Sequence, residues 1–247
     1  PDALIVVDRQ GTIVFANNSS LSDGSVKLSG GSLALSGGNN FNRPVIVGTG
    51  SKLAGYGTYT SNVSIGNGAI LSPGLQKDGG TTGAMEFYHL ELDAGGVYEF
   101  NLQSPNFTDT IGQDFIKVYN PGEGSTLVIN ADSDHPFIIK VVSLDTDGFA
   151  GMLEGIDQGH GLYSWTLINF DVISIPGNGD IFDPSAFSLD VSGFASDAPL
   201  GGEFNLFREG NNLMLGFTPV PEPSTYAMMI LGLGMVGWTM RRRRHIK

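Results

Sequence analysis

"GTGSKLAGYGTYTSNVSIGNGAILSPG", residues 48–74, places short apolar-polar alternations between glycines, asparagines and serines. Val63 and Ile65 recur at period two, as do Val26 with Leu28 and Leu33 with Leu35 in "GSVKLSGGSLALSGG" just upstream. That period predicts strands with one buried face. Two architectures suit many such strands: an antiparallel sandwich, or a solenoid whose strands stack on their counterparts one turn away at about 4.8 Å. The spacers favour the solenoid. Apart from Asn67-Gly68 they are poor in hairpin dipeptides, and their small residues suit tight corners. No strict fixed-length repeat emerges.

The same segment resembles the β-helix repeats of autotransporter passenger domains. There an L-x-G-x-G element precedes a strand and an A-x-L-x-P-G element follows it; here these are Leu53 to Gly57 and Ala69 to Gly74. "LELDAGGVYEFNLQSP" is similar to the next rung, with Tyr98, Phe100 and Leu102 on one face. The resemblance covers roughly residues 12–129 and implies a parallel β-helix. At the amino end, "ALIVVDRQGTIVFAN" resembles the opening hairpin of a PAS domain, with Arg9, Gln10 and Gly11 at the turn. Nothing helical follows it, so Leu4 to Ala16 are read as the first strands.

Beyond Pro136 the stretches lengthen and become more aromatic, as in "LYSWTLINFDVISI" and "GEFNLFREGNNLMLGFTP". A β-rich cap is expected there, because an uncovered solenoid end exposes unpaired strand edges. A terminal hairpin should turn around Glu209 to Asn212, with Thr218 to Pro223 as a linker. The expected fold is all-β: a short right-handed parallel β-solenoid over 1–135, a cap region over 136–218, and a tail over 219–247 with one transmembrane helix.

Composition narrows the function. The 247 residues carry 36 glycines, no cysteine and a formal net charge of -12. Arg241, Arg242, Arg243, Arg244 and Lys247 concentrate basic charge in the last seven residues, so the remaining body is more acidic still. Such a body repels nucleic acid and anionic surfaces. Without cysteine there are no disulfides, thiolate metal sites or thiol nucleophiles.

Catalytic patterns are missing. His89, His135, His160 and His245 show no zinc-hydrolase spacing, and neither a G-x-S-x-G elbow nor a P-loop occurs. "NADSDH" sets Asn130, Asp132 and Asp134 at alternate positions like a calcium loop, but His135 stands where glycine is needed and Val141 where a bidentate Glu would sit. Asp145 to Gly148, Asp180 and Asp183 form other oxygen-rich loops. These read as polar turns, with weak Ca²⁺ binding at Asp132 and Asp134 as the alternative. Between Gly24 and Ile168 only Lys27, Arg43, Lys52, Lys77, Lys117 and Lys140 are basic, too few for a uronate-degrading cleft. No enzyme and no cofactor are expected.

The tail "TPVPEPSTYAMMILGLGMVGWTMRRRRHIK" holds sixteen residues without formal charge, Thr225 to Met240. As a helix these rise about 24 Å, slightly less than a hydrocarbon core of about 30 Å. Tyr226 and Trp238 near its ends suit membrane interfaces, and Arg241 to Arg244 should stay cytoplasmic, which puts the body outside. Pro221 and Pro223 keep the preceding segment extended. Pro221, Glu222 and Pro223, the apolar run up to Met240 and the arginine cluster together resemble the PEP-CTERM sorting signal of Gram-negative bacteria. That resemblance implies recognition by an inner-membrane exosortase and removal of the tail. It also implies delivery to the cell surface or extracellular matrix in association with exopolysaccharide or biofilm. A carbohydrate-binding adhesin is the alternative reading, and a polysaccharide-degrading β-helix enzyme a more remote one.

Overall fold

The computed structural model describes residues 3–8, 11–16, 24–74, 82–105, 112–122, 124–157, 161–176, 179, 181–196, 202–219 and 228–235. Strands follow one another coil by coil. The first coil holds β1 (Ala3–Asp8) and β2 (Thr12–Ala16), the second β3 (Gly24–Ser29) and β4 (Ser32–Phe41), and the third β5 (Val45–Val47) and most of β6 (Lys52–Ile65). Next come β7 (Ile70–Pro73), β8 (Ala84–Leu92), β9 (Val97–Leu102), β10 (Phe115–Val118), β11 (Thr126–Ile129), β12 (Phe137–Ser143) and β13 (Met152–Leu153). The chain closes with β14 (Tyr163–Phe170), β15 (Ile173–Ser174), β16 (Phe187–Gly193), β17 (Ala195–Ser196), β18 (Gly202–Glu209) and β19 (Asn212–Pro219). Seventeen of these strands form a single sheet.

That sheet winds around the core as three parallel ladders. The first stacks β1, β3, β5, the end of β6, the end of β8, β11 and β15. Its register runs Val26, Val45, Val63, Leu90, Leu127, Ile173, with Leu28, Val47, Ile65, Leu92 and Ile129 as the neighbouring column. All of these side chains are buried, and each contributes about 1.5 to 3 kcal/mol relative to exposure. The second ladder aligns Ile13, Leu33, Leu53, Leu71, Tyr98, Ile139 and Leu189. The third aligns Phe41, Tyr59, Phe87, Val118 and Phe170, with the Tyr59 and Phe87 rings stacked at 5.2 Å. The period-two residues read from the sequence therefore face the core, and the pairing is the parallel one expected of a solenoid.

β1 and β2 are the first strands, as read, and each pairs in parallel with the strand one coil on. One detail differs from the expectation: the change of texture at Pro136 carries no change of pairing, since β12 pairs in parallel with β9 before it and β16 after it. Antiparallel pairing between named strands begins only where β19 adds to β14 and β18 to β19. That terminal hairpin turns between Glu209 and Asn212, as expected, with Gly210 at φ 57°. Phe204 on β18 packs at 5.0 Å from Phe194 and 4.6 Å from Phe217, sealing this end of the core with aromatic rings. Thr218 and Pro219 pair with Glu203 and Gly202, so they belong to the hairpin rather than to a linker.

One corner tolerates no side chain. Gly55 has φ 101°, and a Cβ there would collide with the carbonyl oxygen of Leu35 in the coil below. It also exchanges two backbone hydrogen bonds with Gly74, at 2.8 and 2.7 Å. Gly55→Ala is expected to lose about 1 to 3 kcal/mol through forced left-handed backbone and a displaced coil, read as a lower urea midpoint.

Candidate functional site

The corner between the second and third ladders accumulates the chain's long insertions. It is tight at Gly55, but later coils enlarge it, between Pro73 and Ala84, between Leu102 and Phe115, and between Ser143 and Tyr163. The described ends of these insertions follow one another along the stack, because the ladders on either side are in register. Short bridges pin the bases of two of them, Leu102 with Gln113 and Leu144 with Ala150, and β13 in the last insertion pairs with β17 in the segment that follows β16. Asp145, Asp147, Glu154 and Asp157 line the upper part of this edge, and no Lys or Arg occurs among its described residues. Phe149 and Met152 are each 52% exposed and Leu162 48%, so the edge offers apolar as well as acidic side chains.

Asp114 anchors the insertions from beneath. Its carboxylate accepts the Gly83 N–H at 3.0 Å on one oxygen, and the Asn101 N–H at 3.0 Å and Nδ2 at 2.8 Å on the other. Gly83 closes one insertion, while Asn101 and Asp114 flank the next, so a single carboxyl couples two coils. Burial holds Asp114 well above the usual carboxylate range, with the three N–H donors opposing the shift and Glu99 adding to it.

A charged network decorates the outer face of the second ladder. Glu99 meets Lys52 at 3.0 Å and Lys140 at 3.3 Å, and accepts the Ser72 hydroxyl at 3.3 Å. Burial pushes the Glu99 carboxyl up, but the two ammonium groups outweigh it and hold it below its ordinary value. A depressed carboxylate adds stability above its unfolded pKa, about 4.3, and loses it as pH falls through the folded value. Glu99→Gln should therefore flatten the acid limb of the urea midpoint against pH below about 4.3, and cost about 1 kcal/mol at pH 7.

The oxygen-rich loops are turns that bond their own backbone. Asp132 Oδ1 accepts from the N–H of Asp134 at 2.9 Å and of His135 at 2.8 Å, and these bonds, led by that of His135, hold its carboxyl low. Asp145 Oδ1 accepts from Asp147 and Phe149, and Asp183 Oδ1 from Ser185. Among the described residues no group of three or more His, Asp or Glu is placed to hold a metal ion. His89 sits in the first ladder between Asn62 and Thr126. His160, His245, Lys77 and Asp180 lie outside the described residues.

Of the tail, residues 228–235 are helical, with Met228, Met229, Ile230, Leu231, Leu233 and Met235 exposed. Among the described residues no helix is long and apolar enough to cross a membrane. Pro221, Glu222, Pro223, Tyr226, Trp238, Met240 and Arg241 to Arg244 lie outside them. What defines the class of the chain is an all-β body whose last paired residue among those described is Pro219, shortly before this segment. The family model of the PEP-CTERM protein-sorting motif matches residues 219–244. The chain thus carries the sorting motif of an exported protein, a motif that exosortases recognise. No curated protein matches the chain.

Sequence reasoning missed the insertion edge and the Asp114 anchor. The edge was signalled by the growing distance between core alternations, and the anchor by nothing local, since its partners lie 13 and 31 residues away.

Proposed function

We propose that this protein is a non-catalytic structural component of the cell surface or extracellular matrix, released there after an exosortase removes its tail. The observation that carries the reading is the sorting motif, whose match begins at Pro219, the last ladder residue among those described. In the proposed pathway residues 225–240 span the inner membrane before processing, and Arg241 to Arg244 hold the cytoplasmic end. The winding is right-handed, as parallel crossovers almost always are.

Binding is assigned to the insertion edge, because insertions collected on one side of a repeat stack commonly form its contact surface. Its acidic and apolar side chains suit a neutral or amine-bearing polysaccharide better than a uronate polymer, which like charge would repel. No cofactor is required; weak Ca²⁺ binding at Asp132 and Asp134 predicts heat on titration at millimolar Ca²⁺.

Two experiments test this. Expressing the exported chain with and without a cognate exosortase should give a mass loss only with the enzyme; Arg241 to Arg244 retained in both would refute processing. Sedimentation with neutral, amine-bearing and anionic polysaccharides should show binding to the first two, lost in Phe149→Ser. Equal retention by all three would remove the assignment to this edge.

A further inference from the structure

β14 keeps β19 on one side from Tyr163 to Asn169, but on its other side it has a strand partner only at its end. Ile168 to Phe170 pair in parallel with β10, whereas the strand upstream has outrun β10 and pairs on one side with β19, with a register shift between Thr166 and Ile168. Side chains take over on the abandoned side. Gln113 Nε2 donates to the Thr166 carbonyl at 3.1 Å and the Tyr98 hydroxyl to the Leu167 carbonyl at 3.4 Å. Gln113 and Trp165 are both fully buried. Gln113 Oε1 and Trp165 Nε1 find no hydrogen-bond partner among the described residues. Rotating the Gln113 amide brings no relief, because it would set Oε1 against the Thr166 carbonyl.

One orphan is an acceptor and the other a donor, and both belong to residues gathered at the same irregularity. Burying each without a partner is costly, and proteins meet such pairs with internal water. We propose that this site binds one ordered water, which accepts from Trp165 Nε1 and donates to Gln113 Oε1. The water completes the side-chain surrogate for the missing strand and lets the sheet pass from parallel to antiparallel pairing inside the core.

The test uses the full-length chain in mild detergent with Trp238→Phe, which leaves Trp165 as its sole tryptophan. Nuclear Overhauser spectra should show the Trp165 indole proton cross-relaxing with a long-lived water, and adding Gln113→Leu should abolish that cross-peak. Should the Leu variant not fold, a high-resolution crystal structure of the Trp238→Phe protein decides instead, with a water expected within hydrogen-bonding distance of both atoms. Absence of the cross-peak in folded protein overturns the proposal. So does density that shows the two atoms bound to separate partners.

Discussion

A chain ending at Val220 is expected to unfold at the same urea midpoint as the full protein, whereas one ending at Asn211 should not fold cooperatively at all. The described tail residues are solvent-exposed, so removing them uncovers nothing in the body. Removing β19 strips Leu213, Leu215 and Phe217 from the core and bares the edge of β14, including fully buried Trp165. Three large buried side chains at about 2 to 5 kcal/mol each are comparable to the whole stability of a typical domain, about 5 to 15 kcal/mol. Circular dichroism and urea titration of the two truncations decide the matter. A cooperative transition in the shorter chain would show that the hairpin is an appendage rather than a cap.

Asp114→Ala is expected to cost about 2 to 6 kcal/mol, since the two buried Asn101 donors lose their acceptor at about 1 to 3 each, while the half-buried Gly83 N–H also loses its partner. The pH dependence runs opposite to that of Glu99. With the folded pKa raised by burial, the contribution of this titration is complete below the unfolded value of about 3.9. It is lost as pH rises through the folded value. Unfolding midpoints measured across that window should fall with rising pH in the parent and show no such fall in Asp114→Asn, which cannot titrate. A parallel decline in both proteins would locate the titrating group elsewhere.

The buried faces were legible because alternation is a local signal: Val26 and Leu28, Leu33 and Leu35, Val63 and Ile65 all point inward. The terminal hairpin was legible for the same reason, two alternating runs around a glycine. The repeat was not, because the coil has no fixed length. Successive members of the first column, Val26, Val45, Val63, Leu90, Leu127 and Ile173, are separated by 19, 18, 27, 37 and 46 residues. What recurs is only the corner between the first and second ladders. Val47 to Leu53, Ile65 to Leu71 and Leu92 to Tyr98 each take six residues, with a left-handed glycine in third place at Gly50, Gly68 and Gly95. A search for whole-coil periodicity dilutes that short constant piece in insertions of unequal size. Asp114 and Gln113 were illegible because their partners depend on which coil lies above which.

The terminal hairpin also governs how the protein responds to tension. In the proposed membrane-tethered state any drag on the body is transmitted through Pro219, the outermost pair of the β18–β19 ladder and the end of β19 nearest Tyr163. Load entering there opens rungs singly, like a zip, instead of shearing them all together. Severing the tether therefore changes the protein mechanically as well as topologically, because the released particle no longer has a handle at its weakest seam.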